Sequence, residues 1–512
     1  MVAFYSILFE RADHDRGGPT VKAHPFVADL NLDQIVDTVL AGKEEYDLEP
    51  FFYAPLSDPE AIRYRQEVVR DLGGEAAFRS VAAFAGRMRT MRDYLAQAEK
   101  AHYPYAMERW FLDAVAVYCD AVRSLVLDLQ ALELRSAGLT RFRDYLAGYT
   151  ESAQFALLAK QTEQLQGELS SVKYCVIIKD NSVGVRKYES ELDYSAMVED
   201  TFARFQEGAA KDYRVKFPEN RSMNHVEAQI LDRVAKLYPE VFSRLDEYTS
   251  QNRDYLDEKV AAFDREIQFY VAYLEHVGRL ERAGLEFCLP EVTRASKQIY
   301  AQQAFDLALA HKLVGEGAKV VRNDFHLAGR ERIIVVTGPN QGGKTTFARA
   351  FGQLHYLAGL GLPVPARKAR LFLFDRLFTH FEREERVRNL RGKLHDDLLR
   401  LRDILDHATS DSIVIMNEPF ASTTVSDAVF LGGKVMEALD KLDVLGVIVT
   451  FLDELTSMSD KAVSMVSMIA PEDPAVRSTY EIVRKPADGR AYALAIARKY
   501  RLTYDALKER LG

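Results

Sequence analysis

Cysteine is scarce in this chain. Only Cys119, Cys175 and Cys288 occur in 512 residues. They are far apart, odd in number and never spaced Cys-x-x-Cys, which excludes a disulfide framework and a cysteine-based zinc site. A reducing cytoplasm is the compartment expected from this usage. Long apolar runs are also missing: no stretch reaches the ~18 residues of a membrane span. The opening residues, Met1 to Glu10, carry no basic segment of the signal-peptide kind. Positive charge is not in excess, since 76 Asp and Glu face 67 Lys and Arg and give a formal charge of -9. That balance excludes a uniformly basic nucleic-acid coat but leaves room for a local basic patch. Neither internal repeats nor low-complexity segments are present.

The composition is that of an ordinary globular chain, 48% hydrophobic and 28% charged. Its length exceeds one hydrophobic core and calls for roughly two to four domains. The expected division is an N-terminal segment over 1–50, a mostly helical region over 51–310 and an α/β domain over 311–512. In the first segment, a helical pattern runs from Leu32 to Leu40. Asp58-Pro59-Glu60 is a helix start, with a capping Asp and Pro at the first helical position. Apolar residues then recur at three- and four-residue spacing to about Leu169, the pattern of several long helices. Between Tyr174 and Tyr188 the period changes to two around Asp180-Asn181-Ser182, which predicts a β-hairpin. Helical periodicity returns from Tyr194 to about Gly208 and from His225 to Leu285. Two arrangements fit the last stretch: a lever of ~90 Å if unbroken, or packed helices joined near Pro239.

Beyond Pro290 the character is α/β. Short β-branched runs at Val320-Val321, Ile333 to Val336, Ser412 to Met416 and Leu445 to Val449 alternate with helical segments in the later part, as in a largely parallel sheet. The run at Ile333 passes directly into Gly338-Pro339-Asn340-Gln341-Gly342-Gly343-Lys344-Thr345 and then a helical segment opening at Thr346. Strand, glycine-rich loop and helix in that order form the context of a P-loop. Glycines let successive backbone N–H groups face an anion, and the helix start adds partial positive charge. Lys344 is placed for the β- and γ-phosphates of ATP, and the Thr345 hydroxyl for Mg²⁺. The strand at Ser412 ends in Asn417-Glu418-Pro419. Glu418 is placed to polarise an attacking water. Asn417 stands where a carboxylate would orient the magnesium water shell, so the metal is expected to be held less firmly.

These residues resemble the MutS family of DNA mismatch-repair ATPases, in which Thr-Gly-Pro-Asn before the loop glycines is distinctive. Thr337 to Thr346 resembles the family's P-loop. Leu362 to Ala366, Asp375 to Thr379, Asn417-Glu418 with Ser422 to Thr424, Val449 to Leu455 and Ala491 to Ala497 resemble later segments in the same order. Pro55 to Ile62 with Arg65 resembles the start of its helical core. The likeness is strong over about 320–505 and weaker but collinear over about 50–310. It implies a P-loop NTPase domain of the ABC-like kind, preceded by a helical core and lever with a small hairpin. It further implies ATP and Mg²⁺ as cofactors, a homodimer sharing its nucleotide sites, and association with mismatched, damaged or branched DNA.

The resemblance assigns adenine contact to Val320 and Val321, for which simple strand core is the other reading. Asn389-Leu390-Arg391-Gly392-Lys393 takes the place of the loop that reaches the partner's γ-phosphate, with Asn389 and Arg391 as its polar contacts; a solvated charged turn is the alternative. Lys173, Lys179, Arg186 and Lys187 on the hairpin would touch DNA phosphates, or form an ordinary solvated face. Three departures stand out. Asn417 replaces an Asp, and Phe451 replaces a γ-phosphate-sensing His, so hydrolysis is expected to be slow. The roughly fifty residues before the core also leave no room for the family's mismatch-reading domain. Phe205-Gln206-Glu207 has the spelling of that domain's wedge but lies inside a helical pattern and reads as coincidence. No appended nuclease is expected after the ATPase. Two other functions fit the same loop: an ABC- or SMC-like ATPase indifferent to mismatches, and a dimer that ATP stabilises for protein interaction with little hydrolysis.

Overall fold

The computed structural model describes residues 4–11, 21–179, 182–190, 197, 223–382, 392–469, 478–487, 504, 507 and 508. The Asp180-Asn181 turn, the helical pattern at 194–208 with Phe205-Gln206-Glu207, the residues Asn389 and Arg391, and the 491–497 segment lie outside them. The chain forms two compact units. One comprises 1–74, 134–142 and 265–512; the other comprises 75–133 and 143–264.

Along the chain, α1 (Pro25–Asp29) and α2 (Leu32–Leu40) come first, then α3 (Pro59–Leu72). Asp58 caps α3 as its sequence requires, accepting hydrogen bonds from the Glu60 and Ala61 N–H groups. Next are α4 (Glu75–Lys100), α5 (Pro104–Gln130), α6 (Ala137–Thr150) and α7 (Ala153–Ser171). The hairpin strands β1 (Tyr174–Lys179) and β2 (Ser182–Lys187) pair antiparallel, with Ile178 opposite Val183. The stretch from His225 to Leu285 is not one rod. It is α8 (His225–Leu237), α9 (Pro239–Gln251) and α10 (Glu258–Arg282). Besides the break at Pro239, the chain turns at 252–257, where the Asp257 carboxylate accepts the Lys259 and Val260 N–H groups and restarts the helix.

In the second unit, α4 and α5 pair along their lengths, with Tyr94 and Trp110 in ring contact at 5.2 Å. Two pairs of buried hydroxyls are matched, Tyr118 with Tyr149 at 3.0 Å and Thr162 with Tyr248 at 2.6 Å, whereas the buried Tyr255 hydroxyl has no hydrogen-bond partner among the described residues. Glu108 on α5 is likewise unmatched at one oxygen. It is 5% exposed and its Oε2 has no hydrogen-bond partner. Burial, and then the nearby Asp246 charge, push its carboxyl up to about 7.

The first unit holds the sheets. Its remaining elements are β3 (Glu291–Thr293), β4 (Ile299–Ala304), α11 (Leu307–Gly315), β5 (Asn323–Leu327), β6 (Ile333–Thr337), α12 (Lys344–Gly359), β7 (Lys368–Phe372) and β8 (Leu377–His380). They continue through α13 (Lys393–His407), β9 (Ile413–Asn417), α14 (Val425–Leu442), β10 (Leu445–Val449), β11 (Ala462–Ile469) and β12 (Ser478–Arg484). The main sheet has the order β12-β11-β6-β10-β9-β8. All its pairings are parallel except that of β12 with β11. Strands buried on both faces read as continuous apolar runs, which is why Ile333 to Val336 are all inaccessible to solvent. Alternate residues serve alternate faces. Ile333, Val335, Val414, Met416 and Ile448 pack with Leu401 and Ile404 of α13 and with Met436 and Leu439 of α14. On the other face, Ile415 approaches Gly352 of α12 so closely that a Cβ there would lie 2.8 Å from its Cδ1. Burying each such aliphatic side chain contributes about 1.5–3 kcal/mol.

A second sheet, β3-β7-β4-β5, joins the first unit. Val320 and Val321 lie in the irregular segment before β5 rather than in a strand. The pairing begins at Asn323, opposite Ala304. The N-terminal residues are tied into the same unit by Arg65. Its buried guanidinium donates to the Leu8 and Leu360 carbonyls at 3.1 Å and sits against the Phe9 and Phe269 rings.

Candidate functional site

The site forms where β6, β9 and β10 end, the edge at which open parallel sheets place their ligands. Leaving Thr337, the backbone enters positive φ at Gly338, Gln341 and Gly343 before α12 begins at Lys344. Gly343 precedes the helix with φ +86°, and no side chain caps the first turn. Those leading N–H groups are therefore left to the loop mouth. Gly342 is fixed from the neighbouring strand: the buried Ser467 hydroxyl of β11 donates to its carbonyl at 2.6 Å. A Cβ at position 342 would overlap Ser467 Oγ and lie 2.8 Å from the Pro339 carbonyl oxygen, so only glycine fits.

Lys344 is 4% exposed. Its ammonium donates to the carbonyls of Gly338 at 2.8 Å and Pro339 at 3.0 Å, and stands 3.9 Å from a Glu418 carboxylate oxygen. Burial lowers its pKa, and the Glu418 charge partly opposes that. A buried ammonium with so little compensating charge favours an anion beside it. The Thr345 hydroxyl donates to the Asn417 side-chain oxygen at 2.8 Å. Among the described residues no three His, Cys, Asp or Glu side chains cluster as a metal cage. The hard-oxygen donors available at this place are the Thr345 hydroxyl, the Asn417 amide and the Glu418 carboxylate. Such a set suits a cation that keeps most of its waters, as Mg²⁺ does. Glu418 has φ +52°, a strained value for a residue with a Cβ, and its N–H donates to the Val449 carbonyl at 2.8 Å. That tie turns the chain at the end of β9 and sets the carboxylate beside the loop.

The sequence-derived residues are therefore brought together in part. Gly338 to Thr346, Asn417 and Glu418 converge. Val320 and Val321 line a separate cleft of about 1010 Å³ with Lys319, Arg322 and residues of β12, and none of Gly338 to Thr345 borders it. Tyr480 on β12 lies between Thr479 and Glu481, which line that cleft. Its Cβ is 3.5 Å from where a Cβ on Gly343 would be, and its φ is +62°. Asn323 holds that strand, donating to the Tyr480 carbonyl at 3.2 Å and accepting from the Ile482 N–H at 2.7 Å. Ser467, Tyr480 and Asn323 were not found from sequence. Ser467 is one buried hydroxyl in an apolar strand, and its role exists only through the pairing of β11 with β6. Phe451, just past β10, is 48% exposed, as are Val425 at 63%, Phe430 at 65% and Met458 at 41%. Met458 lies against Gly433 of α14.

Residues 334–509 match MutS domain V. The chain is 32% identical over 237 residues to Endonuclease MutS2 of Thermus thermophilus, covering 46% of this chain and 31% of that protein. It is 30% identical over 181 residues to the DNA mismatch repair protein MutS of Thermotoga maritima, covering 35% of this chain and 23% of that protein. The matched region thus spans about a third or less of these relatives. No described helix is long and apolar enough to cross a membrane. The loop and the converging strand ends fall in or beside the matched region, so residues 334–509 are similar to MutS domain V, and it is over this part that the chain resembles the MutS family.

Proposed function

We propose that this protein is an ATPase that binds ATP with Mg²⁺ at the loop from Gly338 to Thr346 and hydrolyses it slowly. We further propose that it works as a homodimer, coupling nucleotide to association with mismatched, damaged or branched DNA. The observation that carries the nucleotide reading is the buried Lys344 ammonium at the start of α12, which among the described residues is held by two loop carbonyls and faces a carboxylate 3.9 Å away. A polyphosphate would supply the missing negative charge. The loop N–H groups and Lys344 would hold it, and Thr345 and Asn417 would orient the metal's waters. The bound nucleotide supplies the phosphoryl group that is transferred to water. Glu418 would orient that water and accept its proton.

DNA association and dimerisation rest on the likeness to MutS domain V and its relatives, with Asn389 and Arg391 in the segment proposed to reach a partner's nucleotide. Val425, Phe430, Phe451 and Met458 are exposed apolar side chains of the same unit and would be available to a second copy. Two residues favour a second reading, in which ATP stabilises the dimer and turnover is minimal. The amide of Asn417 carries no charge, and the Phe451 ring cannot hydrogen-bond a phosphate. Glu418→Gln separates the two. An enzyme loses turnover and retains bound ATP, whereas a purely structural site is unchanged in both ATP occupancy and phosphate release.

A further inference from the structure

The β1–β2 hairpin carries more exposed apolar surface than a solvated ribbon needs. Ile178 is 76% exposed, and Val176, Ile177 and Val183 are each about two-fifths exposed. Strand alternation puts Val176 and Ile178 on the same face as Val183 and Val185. Val185, nearer the base, packs against the cluster of Val234, Ala235 and Phe242. Towards the turn the stripe runs on past that support. Cations frame it. Over residues 173–188, Lys173, Lys179, Arg186 and Lys187 face a single acid, Asp180, for a net charge of 4 − 1 = +3 in a chain of net charge -9. The base is anchored, since the Tyr238 hydroxyl donates to the Lys173 carbonyl at 2.5 Å and the Lys187 ammonium lies 5.0 Å from the Tyr238 ring.

An apolar face backed by a basic one on the same ribbon is complementary to a polyanion with an apolar interior. Duplex DNA and an anionic bilayer both have that character. A two-stranded ribbon leaves the outer N–H and C=O groups of both edges unpaired. In hydrocarbon each would cost several kcal/mol, whereas in a DNA groove water and phosphates satisfy them. Each strand is ~20 Å long at ~3.4 Å per residue, and two-stranded ribbons enter DNA grooves, the minor groove included. Aliphatic side chains pushed between base steps are a known way to unstack and bend DNA.

We propose that Ile178, with Val176 and Val183 beside it, is a wedge that the basic hairpin inserts into duplex DNA, unstacking a base step. This deepens the reading that the protein associates with DNA and rests on it. The test uses the full chain and a short duplex carrying 2-aminopurine, whose emission rises on unstacking, titrated across salt. Wild type is expected to bind and raise the emission. Ile178→Ala should lose most of the rise and bind on the order of tenfold more weakly, while Ile178→Leu retains both. Lys179→Ala should keep the rise per bound complex and flatten the salt dependence by about one phosphate contact. The side chain is exposed, so the melting temperature of each variant should match wild type. An Ile178→Ala protein with the wild-type emission change overturns the wedge while leaving DNA binding intact. A wild type that binds no duplex at low salt overturns the DNA reading itself. Loss of binding to anionic phosphatidylserine vesicles, with duplex behaviour unchanged in Ile178→Ala, reassigns the tip to membranes and also overturns the proposal.

Discussion

Replacing Gly342 by Ala probes the loop where its geometry is tightest. The new methyl overlaps Ser467 Oγ and lies 2.8 Å from the Pro339 carbonyl oxygen. The serine can rotate away, but then the 2.6 Å bond to the Gly342 carbonyl is lost in a buried place. That costs about 1–3 kcal/mol. The Pro339 carbonyl is backbone and must shift, an overpacking cost of about 1–3 kcal/mol. Because the Lys344 ammonium is held by that same carbonyl at 3.0 Å, the displacement reaches the group proposed to meet phosphate. The sum, about 2–6 kcal/mol, should weaken ATP binding at least ~30-fold and lower the melting temperature. Adding Ser467→Gly in the Gly342→Ala background relieves the overlap but restores neither the bond to the Gly342 carbonyl nor the Pro339 position; the bond is lost once rather than twice, so the two changes are non-additive in a double-mutant cycle. Calorimetric titration with ATP and thermal unfolding of the four proteins read this out. A Gly342→Ala protein with unchanged affinity and unchanged melting temperature refutes the reasoning.

Restoring a carboxylate with Asn417→Asp should tighten magnesium-dependent ATP binding and speed hydrolysis by about tenfold, from about 1–2 kcal/mol of screened attraction to the cation; titration of Mg²⁺ against phosphate release checks it. Glu108 gives a pH prediction. Its carboxyl is raised in the fold to about 7, so the stability of the protonated form is fully present below the unfolded value of about 4.3 and is lost as pH rises through about 7. Glu108→Gln should therefore raise stability by about 2–3 kcal/mol at pH 8 and change little at pH 4, as followed by denaturant unfolding at both pH values.

What could be read from residues alone tracks the physics that is local. The helix start at Asp58, the hairpin at 174–187 and the buried strand at 333–337 were expected because each is written in a short window of caps, period or β-branching. The break at 252–257 was missed, although Asp257 ahead of Glu258 is the same capping signal that identified Asp58. Val320-Val321 looked like a strand but stays irregular. The neighbouring polar residues Asn323 and Asp324 begin the pairing instead, anchored to β12 and to the Gln303 N–H. The sheet β3-β7-β4-β5 was not anticipated, since its strands are short and half-exposed with mixed polarity, as in Ile299 to Ala304. At the site, the residues contiguous with the loop and the end of β9 were found. Ser467, Tyr480 and Asn323 were not, because only long-range pairing brings them near.

The claim on which the account depends is that Lys344 and the loop around it bind the phosphates of ATP. Equilibrium titration of the purified protein with ATP and Mg²⁺, alongside Lys344→Ala at matched melting temperature, tests it most directly. Saturable binding by wild type and a loss of at least about 30-fold in the variant, consistent with removal of a buried charge-assisted contact, is the predicted result. Equal affinity in the two proteins, or none in wild type, would contradict it.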